Sequence, residues 1–311
     1  MSTRKEPRPL VVVGGAAQLN VRFPESRRIL EILTVAKDHR TIRKGGNMTS
    51  SQSRLPLATT NLVGFVLVVV VNALATTIPL GGMTTGQLSD LYPNLFVPAG
   101  LTFSIWGIIY LLLGIYVVYG LVFVVRKSEP TNGFIEKVGI LFIISCIANA
   151  GWIFSWQYRV LPLSLVCIVV LLLSLILMYN RLSIGKTNAG ATEKYMVHLP
   201  MSVYIGWISI ATIANVTVLL VFYRWNRFGI DEQIWAAVMM AVGILLGIVM
   251  LFYRKDIFYT LVIDWALLGI LLKQTAVDGS AAQAVVVTSI VGMCLLTVGV
   301  ITQIARGKVY R

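Results

Sequence analysis

The chain has 311 residues, of which 57% are hydrophobic and 13% are charged, and its mean hydropathy is +0.81. This composition excludes a soluble globular domain, whose surface must be solvated, and indicates an all-α integral membrane protein that crosses the bilayer several times. The net charge of +13 does not indicate nucleic-acid binding, because the 26 lysines and arginines are concentrated in the first 47 residues and in short loops between apolar runs.

Residues 1–47 contain ten basic and four acidic residues and no apolar run long enough to span a membrane. We interpret them as a basic tail. The sequence from Lys44 to Met48 is compatible with codons that read as a bacterial ribosome-binding site followed by a start codon. This leads to the hypothesis that the native chain begins at Met48, which an amino-terminal peptide starting further upstream would contradict.

Eight apolar runs follow Met48, and each is predicted to cross the bilayer as a helix, because a helix satisfies its own backbone hydrogen bonds. Their predicted bounds are 57–79, 97–125, 135–157, 160–182, 196–222, 233–253, 256–272 and 281–303. With both termini inside, twelve lysines and arginines after Met48 lie inside and only four lie outside. We therefore predict a multi-pass protein of the cell (plasma or inner) membrane with cytoplasmic termini.

Tryptophan, tyrosine and asparagine recur at helical spacing in spans 2, 3 and 5. The candidate ligand-binding residues are Pro98, Trp106, Tyr110, Asn149, Trp152, Trp156, Trp207 and Asn215. An asparagine in hydrocarbon costs free energy unless it is hydrogen-bonded, so Asn149 and Asn215 are predicted to face the interior, either as ties between helices or as ligand contacts.

The predicted orientation brings most of these residues to one depth in the outer half of the bilayer. The loop 81–95 lies above them, contains no lysine or arginine, and is predicted to act as a lid. Large flat aromatic side chains combined with a few amides favour a pocket for a planar, amphipathic ligand.

Three motifs in these spans resemble the TspO/MBR family, the tryptophan-rich sensory or translocator proteins. They are P-x₇-W-x₃-Y-x₃-G in span 2, N-x₂-W in span 3 and LP-x₆-W-x₇-N from Leu199 to Asn215. The resemblance covers about 57–222 and implies that residues 48–222 form a five-helix bundle. It departs from the family pattern at the start of span 2, which has the single Pro98 and no tryptophan before Trp106.

The same resemblance implies a ligand and a set of contacts for it. Family members bind porphyrins, haem-related tetrapyrroles, or sterol-like and drug-like hydrophobic molecules, and act in sensing or regulation. The implied contacts are Trp106, Tyr110, Asn149, Trp152, Trp207 and Asn215. No cofactor is required by this reading, and a porphyrin or haem-like molecule would be the ligand.

Residues 223–311 contain three additional predicted spans outside the motifs. Asp264 lies near the middle of the seventh span, where a carboxylate is costly. We interpret it either as a protonated side chain hydrogen-bonded to a neighbouring helix or as a proton-coupling residue. Trp225 and Trp235, at the ends of spans, are interpreted as interfacial anchors.

The leading hypothesis is a membrane receptor or carrier for a planar hydrophobic ligand, and the alternative is a proton-coupled secondary transporter that uses Asp264. An enzyme that photo-oxidises bound porphyrin through tryptophan radicals ranks last, because no acid–base pair is visible.

His39 and His198 are far apart and the cysteines lack metal-ligand spacing, so no metal site is predicted. The expected partners are the ligand and the lipid bilayer, and Gly114 would allow close helix contacts in a homodimer.

Overall fold

The computed structural model describes residues 54–78, 80–126, 133–276 and 282–307, and all regular secondary structure within them is helical. The long helices are α1 (Arg54–Thr77), α3 (Ile105–Val125), α5 (Leu141–Gln157), α6 (Leu161–Arg181), α8 (Leu199–Phe222), α9 (Glu232–Tyr253), α10 (Ile257–Thr275) and α11 (Gln283–Ala305). The short helices are α2 (Thr85–Asp90), α4 (Phe134–Val138) and α7 (Ala191–Glu193).

Within the described residues, seven helices are long and apolar enough to cross a membrane, and the all-α membrane fold is confirmed. The third predicted span, 135–157, is not one continuous helix. Gly139 has a φ of 51° and separates α4 from α5, because only glycine adopts this conformation without a steric penalty. With 17 residues, α5 is about 25 Å long, which is shorter than the hydrocarbon core of about 30 Å. The predicted count of eight spans is therefore not confirmed.

The second predicted span begins later than expected. A 3₁₀ helix at Gly100–Ser104 precedes α3, and Ala99 has an extended backbone with φ −59° and ψ 148°. Pro98 thus lies ahead of the helix, since proline lacks an N–H donor and disfavours a helical conformation in the residue before it. The predicted start of the second span at residue 97 is therefore wrong, and Pro98 does not lie on the helix that carries Trp106.

The central helix of the described structure is α8, which packs against α3, α6 and α10. Gly206 allows the approach of α10, since a Cβ at this position would lie 3.1 Å from the Val262 Cβ. On its other sides α10 packs against α9 and α11, so it joins the last three helices to the rest. The described residues, which begin at Arg54, form one compact unit, and the predicted boundary at 222/223 falls in the loop between α8 and α9.

A second junction lies where the loop between α6 and α7 meets the turn between α9 and α10. The Tyr179 hydroxyl donates to Asp256 Oδ2 over 2.7 Å, and Asp256 Oδ1 accepts the first backbone N–H groups of α10. The Arg254 guanidinium donates to the Ile184 carbonyl at 3.3 Å. Gly185, with a φ of 76°, lies directly against the backbone of Arg254. These contacts join the last three helices, α9 to α11, to the helices that precede them, at the end of the bundle away from α2.

Candidate functional site

Seven aromatic rings from α3, α5, α8 and the 3₁₀ helix meet beneath α2. Trp106 is at the centre, stacked on Tyr110 and on Trp152 with ring centroids 5.5 Å apart in both pairs. Its edge contacts are with Tyr204 at 6.4 Å and Trp207 at 6.2 Å. We call the following residues the aromatic cluster: Phe103, Trp106, Tyr110, Trp152, Trp156, Tyr204 and Trp207. The structure thus brings together every tryptophan and tyrosine that the sequence marked as a ligand contact.

Asn149 ties three helices together inside the bundle. It is fully buried, its Nδ2 donates to the Tyr204 hydroxyl at 2.9 Å, and its Oδ1 accepts from Asn72 Nδ2 at 2.9 Å. These bonds link α5 to α8 and to α1. Because a buried polar group left unpaired costs about 1–3 kcal/mol, this position contributes to stability whatever it does for a ligand.

The side-chain amide of Asn215 also has hydrogen-bond partners within the protein for both its oxygen and its nitrogen. Its Oδ1 accepts from Trp152 Nε1 at 3.2 Å and from Ser164 Oγ at 2.8 Å, while its Nδ2 donates to the Ala211 carbonyl at 2.9 Å. For both asparagines the geometry matches the interpretation as ties between helices. Two polar atoms of the cluster, Trp207 Nε1 and the Tyr110 hydroxyl oxygen, are buried and have no hydrogen-bond partner within the described residues.

The space enclosed by the predicted site is small. A cavity of about 30 Å³ lies among the cluster rings, and Pro98 and Asn215 also line it. Such a volume holds one water molecule and not a planar ligand. The predicted residues are therefore close together, but their rings fill the space between them.

A larger cavity of about 680 Å³ lies beside the cluster, between α1 and α3 and beneath α2. We call it the α1/α3 cavity. Phe103, Trp106 and Tyr110 of the aromatic cluster form one wall, and Asn72 lies on the opposite side. Its polar end is lined by Thr76, Thr84, Thr85, Gln87, Asp90 and Ser104. The volume lies within the range of about 300–1,000 Å³ that is typical of small-molecule sites.

An apolar groove of about 620 Å³ continues along the same two helices. Tyr110 lines both the groove and the α1/α3 cavity, and Phe65, Gly114 and Val118 are among the other residues of the groove. The Val118 side chain is 55% exposed, so the groove is on the surface that faces lipid. A molecule in the cavity can therefore extend an apolar part along the bilayer side of the protein.

The loop 81–95, which we call the lid segment, lies over the small cavity among the rings and over the α1/α3 cavity. It is held by side chains of two different helices. Its helix α2 begins with a capping box between Thr84 and Gln87. From α5, Trp156 Nε1 donates to the Thr85 carbonyl at 3.2 Å. From α10, Lys273 Nζ forms an ion pair with Asp90 Oδ1 at 2.6 Å. The position of this segment depends on the first five helices and on the last three.

A family model described as TSPO-like protein matches residues 58–302. The chain belongs to the TSPO-like family. This confirms the resemblance to TspO/MBR proteins that the motifs in spans 2, 3 and 5 indicated. The match does not stop near residue 222 but continues through α9, α10 and most of α11. Among curated proteins and among solved structures, the chain has no significant match.

In this TSPO-like protein, Asp264 is not among the residues that line the α1/α3 cavity. It is buried on α10, and its Oδ2 accepts from the Thr297 hydroxyl of α11 at 3.1 Å. Its Oδ1 is buried and has no hydrogen-bond partner in the described part of the chain. Across the residues that the structure describes, no three His, Cys, Asp or Glu side chains are placed to hold a metal ion.

Two residues of the site were missed in the sequence. Tyr204 precedes Trp207 by three residues and so lies on the same face of α8. Asn72 is an amide within an apolar span, and the energetic argument applied to Asn149 predicts that it too faces the interior. Both signals are present in the sequence, but the TspO/MBR motifs do not include these two positions.

Proposed function

We propose that this TSPO-like protein is a membrane receptor or carrier that binds a planar amphipathic ligand of the porphyrin class in the α1/α3 cavity. The observation that carries the proposal is that the stacked pair Trp106 and Tyr110 forms a wall of a cavity of about 680 Å³. The two rings give this wall an aromatic, apolar surface, against which a conjugated macrocycle packs favourably. Members of the family are generally not enzymes, which favours binding over catalysis.

The lining of the cavity supports an amphipathic ligand over a purely apolar one. The hydroxyl and amide groups of Thr76, Thr84 and Gln87 line its end beneath α2, where polar substituents of a ligand would find partners. At the other end Tyr110 leads into the apolar groove. A ring system with polar groups at one edge matches this division.

The contacts of the lid segment support a sensory role. A ligand in the α1/α3 cavity would contact α2 through Thr84, Thr85 and Gln87, and the same helix is bonded to α5 and α10. A ligand bound in the α1/α3 cavity would therefore stabilise one position of the lid segment. This would change the surface that the protein exposes to a partner or to the solvent.

The proposal is tested by filling the cavity with a side chain of the protein. Gly107 lines the α1/α3 cavity, and a Cβ added there has no neighbour within 4 Å. Detergent-purified wild type and Gly107→Phe are titrated with protoporphyrin IX, and binding is followed by quenching of tryptophan fluorescence. We expect saturable micromolar binding to wild type and affinity weaker by at least about tenfold, or about 1.4 kcal/mol, in the variant.

The matched control is Ile108→Phe, which adds an aromatic ring at the next residue of α3. Ile108 is 56% exposed and is not part of the cavity lining. The affinity of Ile108→Phe for protoporphyrin IX should therefore stay within about twofold of wild type. If Gly107→Phe binds as tightly as wild type, the ligand lies elsewhere. If wild type shows no saturable binding, a porphyrin is not the ligand.

Proton-coupled transport through Asp264 is the alternative, and the unpartnered Oδ1 is the observation that favours it. Asp264→Asn retains an oxygen that can accept from Thr297, so we expect protoporphyrin IX affinity within about twofold of wild type. The second measurement is the uptake of protoporphyrin IX into liposomes that contain wild type or Asp264→Asn and carry an imposed pH gradient. Loss of gradient-driven uptake with retained binding would support the transporter, whereas equal uptake by wild type and variant would exclude Asp264 as the coupling residue.

A further inference from the structure

A third cavity, of about 390 Å³, lies between the end of the lid segment, the end of α8 and the beginning of α9. We call it the α8/α9 cavity. It shares no lining residue with the α1/α3 cavity or with the small cavity in the aromatic cluster. What it binds is therefore a separate question from the proposed function.

The α8/α9 cavity is lined by charges of both signs. Arg224 and Arg227 lie in the loop after α8, and Glu232 is in the first turn of α9. Within the described residues the ion pairs join Arg54 to Glu136, His198 to Glu193 and Lys273 to Asp90. None of the three cavity charges therefore has a charged protein partner there. The Arg227 Nε makes one long bond, at 3.4 Å, to a loop carbonyl.

Aromatic and apolar side chains form the rest of the lining. Trp225 and Trp235 meet edge to face with ring centroids 4.7 Å apart, and Leu220 and Met239 lie deeper along α8 and α9. The sequence analysis interpreted the two tryptophans as interfacial anchors. In the structure they are also in contact and both line the cavity, which gives them a shared surface for a ligand.

The cavity lies at the level where lipid head groups are expected. It is formed where one membrane-spanning helix ends, at Phe222, and the next begins, at Glu232. Phe228 in the connecting loop is 79% exposed and Ile234 in the first turns of α9 is 51% exposed, as expected for side chains that meet lipid. An amphiphile from the bilayer can reach such a site without leaving the membrane.

We propose that the α8/α9 cavity binds a phospholipid whose head group carries both a phosphate and an ammonium. Arginine is the side chain best suited to a phosphate, because its planar guanidinium donates two parallel hydrogen bonds. Glu232 is an acceptor for the ammonium, and the faces of Trp225 and Trp235 attract a cation. Leu220 and Met239 contact the apolar part of the lipid. A purely anionic head group would leave Glu232 without a partner and close to a like charge.

The test compares retention of three lipids by the full-length protein in native mass spectrometry. Phosphatidylethanolamine, phosphatidylcholine and phosphatidylglycerol are added in equal amounts to the detergent-purified protein. We expect the first two to be retained more strongly than phosphatidylglycerol. Glu232→Gln should remove this preference, and Arg224→Gln combined with Arg227→Gln should lower retention of all three by about tenfold.

Arg159→Gln is the matched control, since Arg159 is an exposed loop arginine that does not line the cavity. Its lipid retention should equal that of wild type. Preferred retention of phosphatidylglycerol by wild type, or an unchanged preference in Glu232→Gln, would overturn the proposal. Soluble glycerophosphoethanolamine is added as a competitor, and competition at the same concentration as the lipid would show that the acyl chains play no part and would also overturn it.

Discussion

Replacing Gly185 with alanine is expected to lower the free energy of unfolding by about 2–5 kcal/mol. Two independent penalties add. The φ of 76° at Gly185 costs a side-chain-bearing residue about 1–2 kcal/mol. A Cβ would overlap the Arg254 carbonyl oxygen and lie 2.7 Å from its carbonyl carbon, which forces a backbone shift worth about 1–3 kcal/mol. Because Arg254 belongs to the turn before α10, this shift disturbs the junction between the two parts of the bundle.

The measurement is thermal unfolding in detergent, in which we expect the midpoint to fall by about 4 °C or more. Gly229→Ala is the control, because Gly229 has a nearly equal φ of 74° but no neighbour within 4 Å of an added Cβ. It should show only the backbone penalty of about 1–2 kcal/mol. Equal losses in the two variants would mean that the turn between α9 and α10 is not packed against Gly185.

Gly269→Ala is expected to destabilise the protein and to weaken ligand binding together. Gly269 of α10 faces the 3₁₀ helix before α3, and an added Cβ would overlap Thr102 Oγ1 and lie 2.8 Å from the Thr102 Cβ. The same contact region contains the hydrogen bond from the Ala99 N–H to the Gly269 carbonyl and that from Trp265 Nε1 to the Thr102 carbonyl, both 2.9 Å long. Overpacking here costs about 1–3 kcal/mol. It also displaces the backbone next to Phe103, which lines the α1/α3 cavity.

A double-mutant cycle with Thr102→Ala isolates this contact. Thr102→Ala removes the Oγ1 and Cγ2 atoms that an alanine at 269 would meet. The double variant should therefore be more stable than the sum of the single effects predicts, by about 1 kcal/mol. Protoporphyrin IX affinity should recover in parallel. Strictly additive stability effects would show that α10 is free to move away from this segment without loss.

The helices could largely be predicted from the sequence, because long apolar runs in a chain this hydrophobic must form internally bonded helices. Interruptions of these helices were harder to predict from the sequence. Gly139 sits within an apolar run, and nothing in hydropathy shows that its φ is positive and divides α4 from α5. Pro98 is a signal for a late start of α3, but the regular spacing of aromatic residues after it favoured a helix that includes it.

The site was predicted only in part. Helical spacing shows which residues share a face, so Trp106, Trp152 and Trp207 could be expected to meet. Spacing says nothing about the distance between two helices, and the α1/α3 cavity exists because α1 and α3 leave space beneath α2. The contact between Trp225 and Trp235 likewise depends on the loop between α8 and α9, where Arg224, Arg227 and Phe228 have positive φ values.

The apolar groove between α1 and α3 changes what an affinity means for this protein. A hydrophobic ligand partitions into the bilayer before it binds, and the groove opens on lipid, so occupancy is set by the mole fraction of ligand among lipids and not by its aqueous concentration. Added detergent or excess vesicles dilute that mole fraction. An apparent dissociation constant should therefore rise in proportion to the amount of micelles or lipid, and values obtained in different preparations become comparable only after division by the volume of the apolar phase.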